Sequence, residues 1–153
     1  NKHSLMLATA ESCTGGLIAA AMTEIPGSSA VIDRGFVTYT NEAKTEMLGV
    51  DADLIDRVGA VSEEVAKAMA EGALAHSNAD VAISVTGIAG PGGGSDEKPV
   101  GTVHIGCALK GEPVFSEKHK LPGHRGDVRG LTVALALSLV EAIVLRKYEG
   151  QAQ

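Results

Sequence analysis

Leu5-Met6-Leu7-Ala8-Thr9-Ala10-Glu11-Ser12-Cys13-Thr14-Gly15-Gly16-Leu17-Ile18-Ala19-Ala20-Ala21-Met22 is the stretch on which the fold turns. Residues 5–10 are a short apolar run of the length and character of a buried strand. Residues 11–14 are polar or small and form a turn, and the Ala-rich segment 16–22 reads as a helix. A strand that passes through a tight turn into a helix is the elementary unit of an α/β layer fold.

The rest of the chain continues that pattern. Pro26, Gly27, Ser28 and Ser29 break the helix, and residues 30–39 carry the β-branched and aromatic residues of a second strand. Residues 41–48 read as a short helix. Ser62 followed by Glu63 and Glu64 is a helix start, the hydroxyl capping free amides and the carboxylates meeting the positive dipole end; that helix is expected to run to Ser77. Residues 80–85 form a third strand that opens into a glycine-rich segment. Residues 100–109 and 114–121 form a hairpin across Lys110, Gly111 and Glu112. From Asp127 a long helix continues to about Tyr148. The expected architecture is a three-layer α/β/α sandwich with a mixed sheet, a single domain over residues 1–153.

Composition narrows the function. The 153 residues carry a formal net charge of −6 and include no Trp, two Tyr and two Phe, with a pI near 5.3. A nucleic-acid partner would call for a basic face or stacking aromatics, so neither duplex nor single-strand binding is expected. A small ligand with one phosphate is compatible with these numbers. Cys13 and Cys107 are too few for a disulfide scaffold and sit among apolar or small residues, which implies reduced thiols and a cytoplasmic location. Asn1 is not an initiator, so an upstream segment is left open, and no signal-peptide pattern is visible. The apolar stretch 131–145 is expected to be too short to cross about 30 Å of hydrocarbon, so no membrane role is expected. Because that helix is apolar nearly all round, it is expected to be buried in the core or shared with a second subunit, which favours a homo-oligomer.

Ser12 lies where strand becomes helix, followed by Thr14, Gly15 and Gly16, a position at which a hydroxyl is exposed and neighbouring amides could hold an oxyanion. Serine at a helix start is also an ordinary cap. The five histidines carry no triad motif, so a base for Ser12 is sought elsewhere. Lys44 falls in the first turn of a helix capped by Thr40 or Asn41, where the dipole disfavours positive charge. It is equally a solvated lysine unless buried beside Ser12. Tyr39, just upstream, could relay a proton or simply pack at a strand end. The glycines from Gly87 through Gly94 follow a strand, yet match neither the dinucleotide fingerprint nor a Walker loop. That leaves a ligand-approaching loop or a surface connection. Arg125 and Arg129 are phosphate candidates or surface ion-pair partners. Neither the cysteines and histidines nor Asp33, Asp51, Asp53 and Asp56 have metal-ligand spacing, so no metal is expected.

The residues 10–16 (Ala-Glu-Ser-Cys-Thr-Gly-Gly), 39–44 (Tyr-Thr-Asn-Glu-Ala-Lys) and 86–91 (Thr-Gly-Ile-Ala-Gly-Pro) together resemble the CinA carboxy-terminal domain family. The resemblance extends through 59–62, 98–103, Gly123 and Arg125, nearly the whole chain. The family is known as nicotinamide-nucleotide amidohydrolase, which converts nicotinamide mononucleotide to nicotinic acid mononucleotide and ammonia in bacterial pyridine-nucleotide recycling. The resemblance implies a serine–lysine dyad assisted by a tyrosine, which map onto Ser12, Lys44 and Tyr39. It implies Thr14, Gly15, Asn41, Thr86, Gly87, Gly90 and Arg125 as oxyanion or substrate contacts, with no cofactor. His124 stands where the family pattern has an acid. Some relatives carry an additional amino-terminal molybdopterin-binding-like domain, which these residues do not contain. The alternative of another class is a non-catalytic nucleotide- or partner-binding module, with Ser12 a cap and the glycine loop gripping phosphate.

Overall fold

A computed structural model describes residues 1–150. Its elements are β1 (Leu7–Glu11), α1 (Leu17–Thr23), β2 (Ile32–Val37), α2 (Asn41–Leu48), α3 (Ala52–Val58), α4 (Glu63–Ala75), β3 (Val81–Gly87), β4 (Thr102–Leu109), β5 (Phe115–Lys120) and α5 (Arg125–Tyr148), with a 3-10 turn at Ser28–Ala30. One five-stranded sheet has the order β2-β1-β3-β4-β5. β1 pairs in parallel with both β2 and β3, while β3–β4 and β4–β5 are antiparallel. The sheet is therefore mixed, as the sequence implied.

Alternation along the central strands sorts side chains into two cores. Leu7, Val81, Ile83, Val85, Val103, Ile105 and Cys107 pack with Ile18 of α1 and with Val128, Ala136, Leu139 and Ile143 of α5. Ala8, Ala10 and Ala82 face the other way, against Leu48, Ile55, Val65, Met69 and Ala73 of α2, α3 and α4. Helices thus cover both faces of the sheet, which makes the three-layer sandwich. The small residues on that second face let α4 approach closely. A Cβ on Gly72 of α4 would overlap the carbonyl oxygen of Leu48, the last residue of α2.

Three expectations are corrected. Helix α3 is not visible in the hydrophobic pattern; Asp51 caps it by accepting from Asp53 N at 2.9 Å. β2 is shorter than 30–39, because Ser28–Ala30 coils into a 3-10 turn and Thr38 and Tyr39 bend toward α2. The last helix begins at Arg125 and spans 24 residues, so by length and composition it could cross a bilayer. Its buried residues Val128, Thr132, Ala136, Leu139 and Ile143 instead form one stripe on the sheet core. Leu131 and Leu145 remain 41% and 40% exposed, so within this chain the helix is not covered on every side.

Candidate active site

In this strand order the chain leaves β1 toward β2 on one side and returns to β3 on the other, so β1 and β3 flank a topological switch point. The loops after their carboxyl ends separate there and leave a crevice, the usual place for a ligand in an open α/β sheet. A cleft of about 290 Å³ lies at this point, lined among others by Ser12, Cys13, Lys44, Gly87, Gly90 and Arg125.

Ser12 follows β1 directly. Its amide donates to Val85 O at 3.1 Å, holding it against β3. Lys44 is the fourth residue of α2, whose Thr40 cap accepts from Ala43 N at 3.0 Å. Helical side chains lean toward the N-terminus, and the Lys44 amine accordingly reaches back past the start of its own helix. Its Nζ lies 3.0 Å from Ser12 Oγ and donates to Thr38 O at 2.9 Å and Tyr39 O at 3.3 Å. The side chain is 1% exposed and meets no carboxylate among the ion pairs of the described residues. Burial holds its pKa below the ordinary lysine value, opposed only by the Cys13 sulfur. That thiol is itself pushed up to about 11 by burial, so at neutral pH it is uncharged and the opposition lapses. A neutral amine fits the geometry: two N–H bonds go to the carbonyls, and the lone pair can accept the Ser12 hydroxyl proton.

The turn after Ser12 departs from expectation. The first free amides of α1 are not available to an oxyanion, because Glu11, 1% exposed, accepts from Ile18 N at 2.8 Å and Ala19 N at 3.1 Å. Glu11 also accepts from the Thr14 hydroxyl at 2.6 Å. It replaces the cap that Gly16, in the left-handed region at φ 109°, cannot supply. Neither Thr14 nor Gly15 lines the cleft; Thr14 is fully buried. Sequence reading had no role for Glu11. The available signal was a helix without a Ser, Thr, Asp or Asn cap, preceded by a lone acid on an apolar strand.

The remaining candidates divide. Asn41, Thr86, Gly87, Gly90 and Arg125 all line the cleft. The Thr86 hydroxyl donates to Ala60 O at 2.9 Å and so holds the Ala60–Val61 wall. Lys98 ties the far side of the glycine loop to the same wall, donating to Val58 O at 2.8 Å. Arg125 Nη1 donates to Gly90 O at 2.7 Å and Nη2 to the Tyr39 hydroxyl at 3.3 Å. Tyr39 is 60% exposed at the rim, so its carbonyl seats Lys44 while its hydroxyl holds Arg125. Arg129 faces away from the cleft, onto Cys13 O and Thr14 O. His124 is the N-cap of α5, its amide donating to the Asp127 carboxylate at 2.8 Å. Among the described residues no three His, Cys, Asp or Glu side chains converge as a metal site would require.

Gly90 shows how tightly the loop is built. Its φ is +81°, and a Cβ there would stand 2.5 Å from Val100 Cγ1. Gly90→Val is expected to strain the backbone and push the loop off Val100, a loss of about 2 to 3 kcal/mol or roughly 5 to 10 °C in melting temperature. Moving the carbonyl that anchors Arg125 should also raise the KM of any cleft substrate. Thermal melts and initial rates on one preparation check both effects.

The protein is a mixed five-stranded α/β sandwich that sets a buried hydroxyl and amine side by side at its switch point. The chain belongs to the CinA C-terminal domain family, whose model matches residues 1–144. It is 55% identical over 134 residues to a CinA-like protein of Mycolicibacterium vanbaalenii, covering 88% of this chain and 32% of that one. It is 59% identical over 120 residues to the nicotinamide-nucleotide amidohydrolase PncC of Enterobacter agglomerans, covering 78% of this chain and 73% of that protein. The chain thus spans about a third of the first of these relatives. The crystal structure of competence/damage inducible protein CihA from Agrobacterium tumefaciens superposes with a TM-score of 0.91 at 54% identity, covering 92% of this chain and 86% of that one. A CinA superfamily protein from Escherichia coli gives 0.89 at 39% identity, with 93% and 82% covered.

Proposed function

We propose that this chain hydrolyses the carboxamide of nicotinamide mononucleotide to nicotinic acid mononucleotide and ammonia, a step of pyridine-nucleotide recycling. The observation that carries the reading is the desolvated Lys44 Nζ at 3.0 Å from Ser12 Oγ; the similarity to a named nicotinamide-nucleotide amidohydrolase supplies the substrate.

Neutral Lys44 takes the Ser12 proton as Oγ attacks the carboxamide carbon, forming a tetrahedral oxyanion. The backbone amide of Cys13, which lines the cleft, stabilises that charge. The protonated Lys44 returns its proton to the leaving nitrogen, the C–N bond breaks and ammonia departs. Water, deprotonated by Lys44, then cleaves the acyl ester and restores Ser12. The chain's own groups with water suffice. The Tyr39 hydroxyl, a cleft-lining group that accepts from Arg125, assists in delivering the proton to the leaving amine in this reading.

Arg125 is the phosphate ligand in this reading. Two of its five N–H donors are spent on Gly90 and Tyr39, which fixes the guanidinium plane and leaves three for a phosphate at the rim. Arg125→Gln is expected to raise KM for the mononucleotide about 10- to 100-fold with kcat within about threefold, the signature of lost uniform binding. Free nicotinamide as alternative substrate should be indifferent to the change. The reading as a whole is tested by ammonia release from the mononucleotide at neutral pH; no release above a Ser12→Ala control would sink it. A homo-oligomer that covers the exposed Leu131 and Leu145 of α5, and a cytoplasmic location, are part of this proposal.

A further inference from the structure

Two segments far apart in sequence bound the cleft with aliphatic side chains: Ala60 and Val61 after α3, and Ile88 and Ala89 after β3. Two polar ties join these segments. At the buried end the Thr86 hydroxyl donates to Ala60 O. At the half-buried outer end Lys98 Nζ donates to Val58 O at 2.8 Å. The glycine loop between them is built as one piece. Its base is closed by Ile88 N on Thr102 O at 2.9 Å and Gly101 N on Ile88 O at 2.8 Å. Further out, the Lys98 amide donates to Ser95 Oγ at 3.0 Å and the Lys98 carbonyl accepts from Ser95 N at 2.9 Å. The backbone of Lys98 is thus fixed to the loop, and its side chain crosses to the other wall. Asp96 and Glu97 immediately precede it, yet Lys98 joins no ion pair among the described residues. It takes instead a carbonyl of the last turn of α3, where a helix leaves acceptors free and its dipole favours a cation. Gly59 leaves room for this: its φ is +82°, and a Cβ there would stand 3.0 Å from Lys98 Nζ.

We propose that Lys98 determines specificity: by clasping the glycine loop to the end of α3 it fixes the width of the slot, which then admits a flat acyl group and turns away a bulkier one. Lys98 is not among the residues that line the cleft, so it acts through the walls, as a positioning residue. Thr86 alone would leave the walls joined only at their inner edge, free to splay at the rim. With the outer tie made, a planar ring is held by both faces without an aromatic partner, and its carboxamide is presented to Ser12 in one orientation. Arg125 anchors the same loop from the other side through Gly90 O, so the loop is fixed at two points and the ligand does not have to order it. The inference rests on Ser12 reacting in this cleft, as proposed above, and not on the mononucleotide being the substrate.

The test compares wild type, Lys98→Met and Lys98→Arg by two readouts. The first is the ratio of the rates at which dimethyl and dicyclohexyl fluorophosphate label Ser12, followed by peptide mass spectrometry. In that reaction Ser12 Oγ displaces fluoride from phosphorus and its proton passes to Lys44, whatever the natural substrate is. The second is steady-state turnover of nicotinamide mononucleotide. Lys98→Met keeps the stem's packing but has no donor for the Val58 carbonyl. It should reduce the preference for the smaller reagent by about 10-fold, the scale on which a pocket discriminates by size. It should also raise KM for the mononucleotide about 10-fold with kcat within about threefold. Lys98→Arg keeps a cationic donor and should restore most of both. Should the methionine variant not fold, Lys98→Gln, too short to reach Val58, carries the comparison. Failure of the mononucleotide reading alone would show as no turnover in wild type with a labelling ratio that depends on Lys98, which supports the inference. An unchanged ratio in a folded variant would overturn it, as would equal loss of both labelling rates, or a wild type whose Ser12 neither reagent labels.

Discussion

Ser12→Ala is expected to reduce ammonia release by about 10⁴-fold or more while leaving the protein folded. Removing the nucleophile of an acyl-transfer unit abolishes the covalent route, leaving only what binding and oxyanion stabilisation provide over water. The fold should survive because the Ser12 side chain makes one hydrogen bond, to Lys44, and the strand position of residue 12 is set by its backbone amide on Val85. The stability change should stay within about 1 kcal/mol. Circular dichroism, a urea midpoint and a coupled ammonia assay measure all of this on one preparation. Turnover within tenfold of wild type would remove Ser12 from the mechanism. In wild type quenched during turnover, the peptide containing Ser12 should carry the acyl group of the substrate.

Lys44→Arg should be nearly as inactive as Lys44→Ala, about 10³-fold down or more, because arginine keeps the charge but cannot give up its proton at any working pH. An electrostatic or substrate-binding role would instead let arginine retain substantial activity. The pH dependence follows from the direction of the Lys44 shift. Its folded pKa lies below the ordinary 10.5 because burial disfavours the charged amine. Activity needs that amine neutral, so kcat/KM should rise with pH through the folded value and then level. Stability moves the same way. Between the folded value and 10.5 the unfolded chain binds the proton that the native one has released, so stability rises with pH across that window. Below it both states are protonated and the full cost of the buried charge is felt. Urea midpoints of wild type and Lys44→Met across pH isolate the contribution; a difference that does not change with pH would contradict a desolvated lysine.

The layers of this protein are legible in its sequence, but the distances that make the site are not. The apolar run before Glu11, the Ser62–Glu63–Glu64 start of α4 and the hairpin around Gly111 are local signals, each set by periodicity or capping within a few residues. α3 escaped because seven residues carry too little periodicity, although Asp51 and Asp53 mark its cap. The approach of Lys44 to Ser12 joins positions 32 apart in sequence, and nothing in the spacing states it; the pairing came from the resemblance of the motifs. The two arginines could not be told apart either. Arg125 and Arg129 share a helix face, and only the curvature of the 12–16 turn decides which one meets the cleft and which the backbone. The first amides of α1 read as an oxyanion site because sequence shows a helix start but not the Glu11 carboxylate already occupying it.

The contact between Gly72 and Leu48 makes the cleft mechanically dependent on a helix that does not line it. α2 rests its last residue on α4 at the one position without a side chain, and one turn earlier the same helix carries the amine that must meet Ser12. α4 is thus a fulcrum and α2 a short lever: a methyl group at the pivot is expected to lift the lever and, in the mechanism proposed above, to draw the Lys44 amine away from Ser12. Gly72→Ala is therefore expected to lower turnover as well as stability, which initial rates and thermal melts on one preparation measure together.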